Sequence, residues 1–297
     1  MNMVTDRKQG LVKRRGLSRN EIAEIEQLAL LCNRYEHLDM KLNWDMLKAH
    51  PGDETNDFLY YDNGLLAGYL ALFSFSADEG ELSGMVHPAY RRRGIFGQLV
   101  AAARAECQRR KISDLLLIVE QASQSGMAFV KRLMLALHHT EYKMVLELLQ
   151  HAPRANPYLQ LRPAMSTDGA MLAHITARAF NMSEHEVNWY TENMIRRSDH
   201  QYYLGLLNGI CIGKVEVVFG PNEAIICGFG VLPEYQGYGY GRQILTRTVQ
   251  EILAKGPYKI SLEVDTGNEH ALSLYKTCGF KVTNCYLYYL MKISQNL

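Results

Sequence analysis

At 297 residues the chain is long enough for two domains of roughly 150 residues each. Hydrophobic residues make up 47% and charged residues 21%, a balance that buries a core and excludes a disordered or low-complexity chain. With 32 basic against 31 acidic residues the formal charge is +1, which leaves no global field to recruit nucleic acid or an anionic membrane.

The opening segment "MNMVTDRKQGLVKRRG" lacks the apolar stretch of a signal peptide, and no run of about 18 apolar residues occurs anywhere in the chain. Six cysteines, Cys32, Cys107, Cys211, Cys227, Cys278 and Cys285, form no C-x-x-C pair and no metal-ligand spacing, so reduced thiols in a cytoplasmic protein are expected. The basic clusters Lys13-Arg14-Arg15 and Arg91-Arg92-Arg93 then need local explanations.

Ser18-x-x-Glu21 reads as a capping box opening the first helix. Strands are expected near 57–61 and 66–75, joined by the hairpin signal Asn63-Gly64, and near 81–87. A helix near 95–111, a buried strand near 114–119, a helix near 126–135 and a strand near 141–149 follow. "LQHAPRANPY", with two prolines, reads as a linker, placing a boundary near Ala155 and domains at 1–155 and 156–297. Beyond it come a capping box at Ser183-x-x-Glu186, strands near 201–206, 210–219 and 223–232, and a helix near 241–255. A strand near 259–264, a helix near 269–278 and a strand near 281–292 complete the chain.

The two series are one unit written twice. Asn63-Gly64 and Asn208-Gly209 lie 145 positions apart (208 − 63). At the same offset "MVHPAYRRRGIFGQLV" matches "GVLPEYQGYGYGRQIL": Val86 with Val231, Pro88 with Pro233, Arg91 with Gln236, Gly94 with Gly239. Each half is a mixed α/β unit with an antiparallel first part followed by strand, glycine turn, helix, strand, helix, strand.

The turn "EYQGYGYGR" places three glycines directly after a strand and directly before a helix. The first amides of a helix have no intrahelical partner and the macrodipole makes that end positive, so bare backbone there closes readily on a phosphate. A tight turn without a ligand is the other reading. A Rossmann fingerprint fails, because Ile244 stands where its third glycine belongs, although Asp265 follows the next strand. A P-loop is excluded by the absence of G-K-[ST] after the turn. The diphosphate of a nucleotide thioester fits better.

Val231-Leu232-Pro233-Glu234-Tyr235-Gln236-Gly237-Tyr238-Gly239-Tyr240-Gly241 resembles the coenzyme A signature, Q/R-x-x-G-x-G/A, of the GCN5-related N-acetyltransferases. Downstream, "SLEVDTGNEHALSLYKTCGF" is similar to that family's second signature as it occurs in ribosomal-protein N-terminal acetyltransferases. In the first half Arg91-Arg92-Arg93-Gly94-Ile95-Phe96 fits except that Phe96 stands where glycine or alanine is expected. The tandem layout resembles the two-domain members of the family, the mycothiol synthases among them, in which acetyl transfer belongs to the C-terminal half.

The resemblance implies two tandem domains of the family fold, each a mixed, mostly antiparallel sheet with a splayed central strand flanked by helices, and acetyl-CoA as the acyl donor. It implies that the backbone of Phe229, Gly230 and Val231 pairs with the pantetheine arm, and that the amides of Gln236, Gly237, Tyr238, Gly239, Tyr240, Gly241 and Arg242 hold the pyrophosphate. Asn268 is implied as a cofactor hydrogen-bonding residue; read on its own it is equally an N-cap. Tyr275 matches the family's acid, which protonates the departing thiolate, and Glu263 matches the base of the ribosomal enzymes. Read alone, Tyr275 is a core aromatic on a helix and Glu263 a strand glutamate paired with a basic residue. Other members carry their base six residues before the valine, where this chain has Ile225.

The N-terminal half keeps the scaffold but carries Ile118 opposite Glu263 and Phe129 opposite Tyr275, so it is expected to be catalytically silent. His138, His139 and His185 lack metal-site spacing, Cys278 reads as a buried filler, and Tyr286, Tyr288 and Tyr289 read as a cross-strand aromatic face. The expected acceptor is an amine, on a small molecule or a peptide N-terminus, with no nucleic-acid or membrane partner. A non-catalytic acyl-CoA sensor or scaffold is the competing class.

Overall fold

The computed structural model describes residues 8–48, 52–74, 78–150, 156–183, 187, 195 and 197–293. Two compact units emerge: the first comprises Met1–Thr140 together with Asn284–Leu297, the second Glu141–Thr283.

Unit 1 holds β1 (Gly10–Arg14), α1 (Arg19–Glu36), α2 (Trp44–Lys48), β2 (Asp57–Asp62), β3 (Leu65–Ser74), β4 (Glu79–Val86), α3 (Ile95–Arg110), β5 (Asp114–Glu120), α4 (Gln124–Arg132) and the start of β6 (Ala136–Leu146). Unit 2 continues with the rest of β6, β7 (Leu159–Pro163), α5 (Gly169–Phe180), β8 (His200–Leu207), β9 (Ile210–Phe219), β10 (Glu223–Val231), α6 (Tyr240–Lys255), β11 (Lys259–Asp265), α7 (Glu269–Thr277) and only the start of β12 (Phe280–Lys292), whose remainder belongs to unit 1. In unit 1, β1 to β5 lie side by side in chain order, antiparallel except for β4 and β5, which run parallel. In unit 2 the order is β7 to β11, again antiparallel except for the parallel pair β10 and β11.

The unit boundary differs from the one drawn at the proline-containing linker, and Ala155 itself lies outside the described residues. Both β6 and β12 are cut in the middle. Glu141–Val145 of β6 pair antiparallel with β11, while Tyr286–Lys292 of β12 pair antiparallel with β5. The last strand of the chain therefore completes unit 1. A boundary read along the chain follows turn residues and cannot see which ladder a strand joins.

Each sheet buries both faces, and the period of two in the strands assigns residues to them. In unit 1, Phe58, Leu70, Leu82 and Leu117 pack with Leu99 and Ala103 of α3, while Leu59, Tyr61 and Tyr69 pack with Ile25 and Leu28 of α1. In unit 2, Val215, Val217, Ile226 and Leu262 pack with Leu245 and Val249 of α6, and Tyr202 and Leu204 pack with Leu172 and Ile175 of α5. Each fully buried aliphatic of this kind contributes about 1.5–3 kcal/mol.

The predicted capping box opens α1: the Ser18 hydroxyl oxygen accepts from Glu21 N–H at 3.2 Å, and the Glu21 carboxylate accepts from Ser18 N–H at 3.0 Å. The second predicted box lies outside the described residues at Glu186. Burial pushes the Glu21 carboxyl up, but the Ser18 hydrogen bonds and the Arg14 guanidinium, 2.9 Å away, outweigh it and hold it at about 2 against an ordinary 4.5. A carboxyl depressed on folding stabilises fully above its unfolded value and loses that contribution as pH falls through the folded one. The melting-temperature gap between wild type and Glu21→Gln is therefore expected to be complete at pH 6 and to close between pH 4.5 and 2. A gap constant across that range would show that only packing is lost.

Candidate active site

The parallel pairing of β10 with β11 runs from Glu223–Lys259 to Ile226–Leu262 and stops, although the strands continue to Val231 and Asp265. On its other side β10 follows β9 to Cys227–Glu216, then shifts register and resumes at Gly230–Lys214. Gly228 and Phe229 thus oppose the single residue Val215. This is a β-bulge, and Gly228 adopts φ +50° there. Bulge and splay together turn the backbone of Phe229, Gly230 and Val231 out of the β11 ladder. Gly230 has a packing reason as well: a Cβ on it would meet Ala179 Cβ at 2.7 Å.

Beyond β10 a 3-10 turn, Pro233–Tyr235, leads into the glycines. Gly237 and Gly239 take φ +81° and +79°, and a Cβ on either would meet nothing within 4 Å. Backbone conformation, not crowding, selects glycine at both. Gly239 is the N-cap of α6, whose first intrahelical bond runs from Gln243 N–H to Gly239 C=O at 3.3 Å. The amides of Tyr240, Gly241 and Arg242 precede it, so they form the open end of the helix. Gln236 fastens the turn by donating its side-chain amide to Val231 C=O at 2.8 Å. Arg242 donates to Thr277 C=O at 3.2 Å, tying the turn to α7.

Asn268 is the N-cap of α7, its side-chain oxygen accepting from Ala271 N–H at 3.0 Å, so the structural reading of this residue holds. Two helical turns further on, Tyr275 is buried beside Phe280, ring centroids 6.1 Å apart. Burial foremost, then the neighbouring Cys278 and Cys227 thiols, pushes its phenol up to about 12. It therefore stays protonated at neutral pH and has a proton to give. Glu263 lies on the splayed end of β11, exposed, opposite Lys143 of β6 in the ladder. The Cys227 thiol, at the apex of the splay, is pushed up first by burial, then by the carboxylates of Glu216 and Glu263 among its causes.

The same parts recur in unit 1, altered. Arg91 donates to Val86 C=O at 3.2 Å as Gln236 does to Val231, and Gly94 repeats the left-handed N-cap with φ +79°. Here β4 follows β3 without a register shift, so the bulge is missing. Phe96, at the position of Gly241 (241 − 145), sets its ring edge-on against Phe129 at 4.8 Å. At Gly241 a Cβ would meet Leu274, Phe229 and Val231 at 3.7 Å, an ordinary van der Waals contact. The N-terminus of α4 is taken by a side chain of unit 1 itself: the Glu36 carboxylate accepts from Ser125 N–H at 3.1 Å and pairs with Arg91 at 3.2 Å.

Among the other candidates, His138 and His139 touch each other through Nδ1 atoms 2.8 Å apart, and His185 lies outside the described residues. No cluster of three or more His, Cys, Asp or Glu that could hold a metal occurs among the described residues. Cys278 is fully buried. Tyr286 and Tyr288 are buried in unit 1 with Leu116 and Ile118, completing a cross-strand cluster. No helix of the described residues is long and apolar enough to cross a membrane.

The acetyltransferase (GNAT) family profile matches the chain twice, over residues 20–134 and 170–280. The protein belongs to the GNAT acetyltransferase family. A mycothiol acetyltransferase of Thermobispora bispora is 29% identical over 244 residues, covering 75% of this chain and 79% of that one. An N-alpha-acetyltransferase of Arabidopsis thaliana, MAK3, is 28% identical over 93 residues, 30% of this chain and 49% of that one. The crystal structure of a GCN5-related N-acetyltransferase from Sphaerobacter thermophilus superposes over 97% of both chains with a TM-score of 0.80 at 17% identity, a likeness of fold. The tandem acetyltransferase architecture implied by the resemblance is thereby established, and with it a transferase that moves an acetyl group to an amine.

Proposed function

We propose that unit 2 takes acetyl-CoA at the splay of β10 from β11 and transfers its acetyl group to the amine of a small molecule. The observation that carries this reading is the bulged, splayed β10 leading directly into two left-handed glycines at the open end of α6. In it, Phe229, Gly230 and Val231 hold the pantetheine arm by their backbone, and the amides from Gln236 to Arg242 hold the pyrophosphate. Asn268 adds a hydrogen bond through its amide nitrogen. Tyr275 gives its proton to the departing sulfur and Glu263 accepts one from the attacking amine. A small-molecule acceptor is favoured over a peptide N-terminus because the mycothiol acetyltransferase relationship spans three quarters of the chain, whereas the N-alpha-acetyltransferase one spans 93 residues. Unit 1, which lacks the bulge and has the Glu36 carboxylate at the N-terminus of α4, serves as a silent scaffold.

Calorimetry is expected to find one acetyl-CoA per chain, and a panel of amines to release coenzyme A thiol with at least one member. Binding without thiol release from any amine would favour an acyl-CoA sensor instead. Two equivalent sites per chain would overturn the assignment of unit 1. For Glu263→Gln, kcat/KM is expected to fall by roughly 10²–10⁴ while acetyl-CoA affinity holds. An unchanged kcat/KM would remove Glu263 from the reaction.

A further inference from the structure

A row of side chains crosses the sheet of unit 2 at the apex of the splay, on the face covered by α5. In the ladders Tyr202 of β8 stands opposite Glu216 of β9, and Glu216 opposite Cys227 of β10. Cross-strand partners share a face, so the Glu216 carboxylate sits one strand from the point where β10 leaves β11. It is buried, and its Oε1 takes two contacts: the Tyr202 hydroxyl donates at 3.0 Å, and His200 Nδ1 lies at 2.7 Å. The imidazole's other nitrogen, Nε2, lies 3.9 Å from the Asp199 carboxylate. Side-chain exposure rises along this line from 11% at Glu216 and 11% at His200 to 37% at Asp199. Buried carboxylate, imidazole and surface carboxylate thus run from the splay to solvent, an arrangement no sheet needs for its stability, because burying charges costs more than burying apolar groups of the same size.

We propose that Glu216, with His200 as its outlet, removes the first proton from the acceptor's ammonium group and passes it to solvent beside Asp199. The inference rests on the reading that unit 2 acetylates an amine, and it accounts for a proton which that reading leaves unassigned. An amine arriving as R–NH3⁺ must lose two protons: one before its lone pair can attack, and one as the C–N bond forms and the C–S bond breaks. The second goes to Glu263 while Tyr275 gives one to sulfur, and the proton on Glu263 then returns to the Tyr275 phenolate through water, so this pair nets to zero. The first is the net proton released per turnover. It moves from nitrogen to the Glu216 carboxylate, then to His200 Nδ1 as Nε2–H gives its proton to water at Asp199; this frees Glu216 and leaves the imidazole protonated on Nδ1, and a half-turn of the ring, with proton exchange through water, returns it to the starting tautomer for the next turnover.

The groups facing Glu216 are His200 and Tyr202 from β8, Lys214 from its own strand, Cys227 from β10 and, across the splay, Glu263 from β11; α5 covers the face with Leu172, Ile175 and Ala177. Lys214 is fully buried, and burial pushes its ammonium down to about 8, so its charge changes within the same pH range. The test must therefore separate it from Glu216.

Glu216→Gln and His200→Gln are compared with wild type between pH 6.5 and 9.5, using the fastest-reacting amine of a panel containing glucosamine, spermidine and an alanyl peptide. His200→Gln leaves the Lys214–Glu216 pair in place and interrupts only the outlet. Both variants are expected to bind acetyl-CoA as wild type does. Each is expected to lose about a hundredfold in kcat/KM at neutral pH, the low end of a positioned base's worth, and to recover it as pH passes the acceptor's own pKa and the amine arrives neutral. A loss that stays constant with pH in both variants, or no loss in either, would overturn the proposal. Loss of acetyl-CoA binding in Glu216→Gln would mark a structural role for that residue, and His200→Gln alone would then decide. If wild type acetylated none of the amines, the reading of unit 2 would fail first, and this inference with it.

Discussion

Gly239→Asp is expected to lose acetyl-CoA affinity by about a hundredfold or more while the protein stays folded. Of the residues other than glycine, aspartate and asparagine are the most tolerant of the left-handed backbone at φ +79°, so the strain of replacing Gly239 is smallest with them. The substitution places a carboxylate where the pyrophosphate is to lie. Two unit charges 4 Å apart repel by about 1 kcal/mol in water and about 4 kcal/mol at a protein surface, and each 1.4 kcal/mol is tenfold in affinity. Gly239→Asn adds the same bulk without the charge, so its affinity should fall between wild type and the aspartate variant. Calorimetry with acetyl-CoA, alongside a melting curve for each protein, reads both effects. Undiminished binding by a folded Gly239→Asp protein would put the donor somewhere other than the end of α6.

Tyr275→Phe should lower kcat by at least roughly tenfold and leave KM for acetyl-CoA nearly unchanged, the pattern of an interaction made only in the transition state. The ring is buried against Phe280 and stays so in the variant, which means that packing is preserved and only the hydroxyl is lost. Because burial holds the phenol up near 12, wild type is protonated throughout the neutral range, and the ratio of the two kcat values should be flat from pH 6 to 9. The mirror experiment in unit 1, Phe129→Leu, removes an aromatic contact of 4.8 Å with Phe96 and should alter stability or KM, not kcat. Steady-state kinetics on both variants checks the assignment. An intact kcat in Tyr275→Phe, or turnover lost through Phe129→Leu alone, would reverse the roles given to the two units.

Much of this protein is determined by its sequence alone, because the determinants are local. Asn63-Gly64 and Asn208-Gly209 specify hairpin turns through their own backbone preferences, and both pairs take left-handed φ values, +50° and +84° in the first, +49° and +82° in the second. Likewise, glycines set between a strand and a helix mark a turn with left-handed backbone, and Gly237 and Gly239 take φ +81° and +79°. The short edge strands β1 and β7 and the five-residue helix α2 were not visible, since too few residues repeat in them for a period to stand out.

Tertiary structure alone decided three things. The exchange of β6 and β12 between ladders depends on which strand lies beside which, and no turn signal carries that. The bulge at Gly228 and the splay that follows arise from how β10 is held by β9 on one side and released by β11 on the other. The third is the burial of Lys214 and Glu216. In "KVEV" their alternation with valine reads as a solvent face, yet Lys214 is fully buried and Glu216 nearly so. A period of two says which side chains share a face of a sheet, but whether that face meets water depends on what packs over it, and here α5 does.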